Sequence, residues 1–78
     1  MTKKGVDEAS ARLLVEAGAV RGVSIEPAGD RWAVVLRVGM EDRPVASRRE
    51  SVRTWANLDT IARWLRNLGI RDASIRVQ

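Results

Sequence analysis

Residues 19–39, AVRGVSIEPAGDRWAVVLRVG, read as two β-strands around a turn, and the neighbouring elements follow from them. Pro27-Ala28-Gly29-Asp30 carries the turn chemistry, proline fixing φ and glycine admitting positive φ. Ahead of the turn, Val23 and Ile25 alternate with Ser24 and Glu26. Beyond it, Trp32, Val34, Leu36 and Val38 fall on one side and Arg31, Ala33, Val35 and Arg37 on the other, since successive side chains of a strand point to opposite faces. The first set faces a core. The second is a small apolar centre between two arginines, which suits a face open to water or to a partner.

On the C-terminal side, Met40-Glu41-Asp42-Arg43-Pro44 reads as a connection, with a third strand beginning at Val45. The phase of that strand slips, because Val45 and Trp55 share one parity and Val52 has the other. A strand with one buried face keeps its phase, so a bulge or short break is expected near Arg49-Glu50-Ser51, with Val52 and Trp55 both packing inward. A helix then runs from Asn57 to Leu68. Asn57 suits the N-cap, and Leu58, Ile61, Trp64, Leu65 and Leu68 form a wide apolar stripe that Gly69 ends. The stretch ASIRV, residues 73–77, reads as a last strand with Ile75 and Val77 inward. On the N-terminal side, Val6 to Ala17 reads as a helix burying Val6, Ala9, Leu13, Leu14 and Ala17, with Val15 as the misfit. The expected fold is α+β, in the order α-β-β-β-α-β. Two amphipathic helices share a twisted antiparallel sheet of three to four strands. Residues 1–5 are expected to be a flexible N-terminus and residues 6–78 a single domain.

Composition narrows the chemistry. The 78 residues include no cysteine and no histidine, which removes thiol nucleophiles, imidazole bases, disulfides and the usual zinc ligands. The acids are scattered without calcium-loop spacing, and the only lysines, Lys3 and Lys4, stand at the N-terminus. No enzyme, cofactor or metal site is expected. No apolar run approaches the roughly 18 residues of a membrane span, and none follows the lysines as in a signal peptide, so the expected compartment is the cytoplasm.

Charge singles out the candidate site. Residues 1–42 hold six basic and seven acidic side chains, net −1; residues 43–78 hold eight arginines and three acids, net +5. Arg31 and Arg37 share a face of the second strand, and Arg48, Arg49 and Arg53 lie on the third. An antiparallel ladder is expected to gather the five into one patch, where guanidinium forks grip phosphate or guanine. The competing account is that charges on a strand edge only block unwanted pairing. The tryptophans Trp32 and Trp64 fit the apolar phase of their elements, and Trp55 sits where it can anchor the second helix.

The order of helix, three strands and helix resembles the double-stranded-RNA-binding arrangement, although that family carries a lysine cluster where this chain has Asn57-Leu58-Asp59. Three strands followed by a helix also resemble the arm-binding domains of tyrosine recombinases, which bind DNA through their sheet. Four stretches carry a longer resemblance: MTKK at the start, LVEAGAVRGV, WAVVLRVGMEDRPVASRRESVR and LDTIARWLRNLGI. They resemble ParC, a family of small plasmid partition-associated proteins distinct from the topoisomerase subunit of that name. The resemblance implies a role in plasmid maintenance beside a ParA-type ATPase and a ParB-type centromere binder. The expected function is therefore that of a non-enzymatic accessory binding plasmid DNA through the arginine-bearing face. The alternative is a module that docks on partition proteins, or on a second copy of itself, by strand addition.

Overall fold

The computed structural model describes residues 5–77. Helix α1 (Glu8–Glu16) is followed by β1 (Val20–Ala28), β2 (Arg31–Val38), β3 (Glu41–Pro44), β4 (Thr54–Trp55), α2 (Leu58–Leu68) and β5 (Ser74–Ile75). The chain is α+β in the expected order, with the third strand divided in two and the sheet mixed. The path through the sheet is β3-β2-β1-β5, and β4 joins β2 along the same edge as β3. All pairings are antiparallel except β1 with β5, which is parallel.

The β1–β2 hairpin turns on Gly29-Asp30, since Ala28 pairs directly with Arg31. Gly39-Met40 makes the same two-residue loop, with Val38 opposite Glu41, and Gly39 takes the positive φ of 63° that the loop's first position requires. The third strand accordingly begins at Glu41, four residues ahead of Val45, and the stretch expected to be a connection is β3. Pro27 lies within β1. Ile25, two residues before it, directs its carbonyl to Arg76, so the missing N–H of Pro27 points to that same outer edge, beyond the reach of β5.

Both helices cover one face of the sheet. Ile25, Val34 and Leu36 meet Ala11 of α1 and Ile61, Trp64, Leu65 and Leu68 of α2 in a single buried cluster. Helix α2 obeys its sequence signals: the Asn57 side chain accepts the Thr60 N–H at 3.0 Å, and Gly69 closes the helix at φ 90°. Helix α1 is rotated from expectation. It buries Ala11 and half-buries Leu14 and Val15, leaving Ala9 exposed and Leu13 66% exposed. The reason is Val6, which stands outside the helix in a parallel bridge with Val45; the helix starts only after Asp7, whose carboxylate caps Ser10 N–H at 2.8 Å.

Between β3 and β4 the chain leaves the sheet. Val45 still donates to Val34, but residues 46–53 loop outward and return with Arg53 N–H donating to the Val45 carbonyl at 2.7 Å. The expected break is this excursion. Val52 rides on it, 40% exposed, whereas Trp55 is buried as expected. The flexible N-terminus expected for residues 1–5 falls, for residues 1–4, outside the described residues. Gly5 packs so closely that an added Cβ would stand 2.7 Å from Ala46 Cβ and 3.1 Å from the Ser51 carbonyl. The inward placement expected for Ile75 and Val77 does not hold, for they are 50% and 82% exposed at the sheet edge. Among the described residues no helix is long and apolar enough to cross a membrane.

Candidate functional site

The sheet face turned away from the helices carries Arg31 and Arg37. Six residues apart along one strand, they stand about 20 Å from each other. Arg31 lies across β4, donating from Nε to Thr54 Oγ1 at 2.8 Å and from Nη2 to the Thr54 carbonyl at 3.0 Å. Arg37 faces its register partner Asp42, with Nη1 3.3 Å from Oδ1. Parity adds Glu26, opposite Ala33, to the same face, and a shallow groove there joins Glu26, Arg37, Asp42 and Arg76. Two carboxylates among three guanidiniums leave this face little excess positive charge.

The remaining candidates lie elsewhere, because the excursion of residues 46–53 removes the ladder that was to align them. Arg48 and Arg49 stand exposed on a turn closed by Ser47 N–H to the Glu50 carbonyl at 2.9 Å and by Glu50 N–H to Ser47 Oγ at 3.2 Å. Neither makes an ion pair or a side-chain hydrogen bond among the described residues. Arg53 belongs to the helix-bearing side: its guanidinium carbon lies 4.6 Å from the Trp55 ring centroid and 5.8 Å from that of Trp64. Its Nη1 is 3.6 Å from Glu8 Oε1. The five arginines thus form three groups rather than one patch.

Arg53 closes a small cluster that knits α1, α2 and β4. Glu8 Oε1 accepts the Trp64 indole N–H at 3.1 Å, Glu8 Oε2 lies 3.6 Å from Arg12, and the rings of Trp55 and Trp64 tilt together at 5.3 Å. The Trp55 indole N–H is buried there without a hydrogen-bond partner among the described residues. Arg53 therefore serves packing, with its cation held over two indole faces.

Residue parity did not point to the arginines that the fold leaves uncommitted at the other edge of the sheet. Arg21, Arg66, Arg71 and Arg76 make no ion pair or side-chain hydrogen bond among the described residues. Arg66 and Arg71 line one groove of about 290 Å³ with Ile25, Leu65 and Ile70, and Arg21 shares a second, adjoining groove with Arg71. The sequence signal for most of them was the +5 excess of residues 43–78; their proximity depends on the turn from α2 into β5. No group of three or more acidic side chains suited to a metal ion occurs among the described residues.

The family model described as ParC-like matches residues 6–78. No curated protein and no solved structure matches the chain.

Proposed function

The chain belongs to the ParC-like family, and on that premise we propose that it is a non-enzymatic accessory of plasmid partition, acting in the cytoplasm by contacting DNA phosphates. The observation that carries the reading is the division of the arginines. Arg31, Arg37 and Arg53 are engaged within the fold, whereas Arg48 and Arg49 project from a closed turn with no carboxylate holding either guanidinium among the described residues. An unengaged guanidinium can meet a phosphate with two parallel N–H donors and gives up no internal bond in doing so. The contact to DNA is thereby moved from the open sheet face to the loop of residues 46–53. The absence of histidine and cysteine from the sequence agrees with a binding rather than a catalytic role.

Fluorescence anisotropy with a labelled plasmid duplex tests this. Affinity should fall steeply with salt, and Arg48→Ala with Arg49→Ala should lower the log–log salt slope by roughly 2, about 0.9 for each phosphate no longer neutralised. Absence of binding at low salt overturns the proposal.

A further inference from the structure

We propose that the β5 edge of the sheet, opposite the Arg48–Arg49 loop, is a docking site for an extended acidic polypeptide segment, which adds to the sheet as a further strand. The backbone supplies the first reason. β5 pairs with β1 at Ser74 and Ile75, and Arg76 N–H donates to the Ile25 carbonyl at 2.8 Å. Because backbone groups alternate along a strand, the N–H and C=O of Ile75 and Val77 turn away from β1, toward the open edge. An extended segment satisfies those groups, as in other strand additions.

The side chains supply the second. Ile75 and Val77 share one parity and are both exposed, and Ile75 borders the groove that holds Ile25, Ala62 and Leu65. Apolar residues at alternate positions of an added strand would cover them. Charge then selects the partner. Arg66 and Arg71 line the groove on the helix side with Asp72 as its one acid, while Arg76 lies toward the open face beside Glu26 and Asp42. Edge charges ordinarily repel a passing strand. On the helix side, where Ile75 lies, Arg21, Arg66 and Arg71 outnumber Asp72, so this side repels a basic strand and a second β5 edge alike, while a strand bearing carboxylates is attracted. Duplex DNA would satisfy the arginines but neither the apolar pair nor the backbone edge.

The test is an NMR titration of the isotope-labelled full chain with a ten-residue peptide of alternating valine and glutamate. Its valine–lysine counterpart and a short duplex DNA form parallel arms. The acidic peptide should shift resonances of residues 71–77 and slow amide exchange at Ile75 and Val77. Arg66→Glu with Arg71→Glu should weaken it at least tenfold, as should Val77→Pro, which removes an outward N–H. Arg48→Ala with Arg49→Ala should leave peptide binding unchanged, which keeps this outcome separate from that of the DNA reading. Equal binding of the lysine peptide, shifts confined to other regions, or no binding at millimolar peptide overturns the proposal. So does a duplex that moves residues 71–77 when the peptide does not, which would give the edge to nucleic acid. Protection of Ile75 and Val77 in a concentration-dependent dimer of the free chain also overturns it, giving the edge to a second copy.

Discussion

The carboxylate of Glu8 receives the Trp64 indole N–H and lies within 3.6 Å of both Arg12 and Arg53, so one side chain ties the start of α1 to α2 and to the approach to β4. The two ion pairs are long and half-exposed, the class whose measured worth is small. The indole hydrogen bond is the stronger tie. Glu8→Gln keeps an acceptor for Trp64 and should cost less than about 0.5 kcal/mol in urea denaturation. Glu8→Ala removes it and should cost about 1 kcal/mol. Asp7, one residue earlier, accepts the backbone N–H of Ser10, and those bonds to Ser10 hold its carboxyl below the usual aspartate pKa. A folded pKa below the unfolded one contributes stability above the unfolded value and loses it as pH falls through the folded value. The thermal midpoint of Asp7→Ala should therefore converge on that of the parent protein across this acid range and stay below it at neutral pH. At this scale the arginines illustrate what parity alone can say. It placed Arg31 and Arg37 on one face, but whether a guanidinium is free depends on what stands across the ladder, and Asp42 comes opposite Arg37 only through the Gly39-Met40 turn.

Among the elements, α2 was the most legible, because cap, apolar stripe and glycine stop agree about both its ends and its buried face. In α1 they disagree. Counting Val6 as helical moves the expected apolar face onto Leu13, whereas Val6 belongs to the bridge with Val45 and the helix packs through Ala11, Leu14 and Val15. This frame predicts opposite outcomes for neighbouring positions. Leu13→Glu should change stability by no more than about 0.5 kcal/mol, as at other exposed sites. Ala11→Leu, forcing volume into a fully buried position, should cost about 1–3 kcal/mol. Far-ultraviolet circular dichroism during urea unfolding measures both. The last strand, Ser74–Ile75, forms within the stretch whose alternation marks it, but its apolar side is exposed. Alternation marks the two faces of a strand, and a strand at the sheet's edge can leave its apolar side uncovered; Ile75 and Val77 are in that position.

For the whole molecule, the α+β class was legible because each helix and the hairpin carry their own periodicity. The division of the third strand was visible only as a parity slip between Val45 and Val52, which gives no hint that residues 46–53 leave the sheet. The candidate site followed that excursion outward, which is why five arginines expected on one ladder are spread over both faces and a loop. The neck of that loop is closed independently of its tip. Arg53 N–H meets the Val45 carbonyl at 2.7 Å, and Val6 binds Pro44 and Ala46 just outside, through bonds of 2.8 Å and 2.9 Å. The length of the tip is thereby uncoupled from the register of β3 and β4, and doubling such a loop costs only about 0.6 kcal/mol of closure entropy. A short glycine–serine insert between Arg49 and Glu50 should therefore leave the urea midpoint nearly unchanged, while the same insert between Val38 and Gly39 should lower it. In evolutionary terms the tip is the place where this scaffold can exchange one surface sequence for another while the sheet beneath it stays as it is.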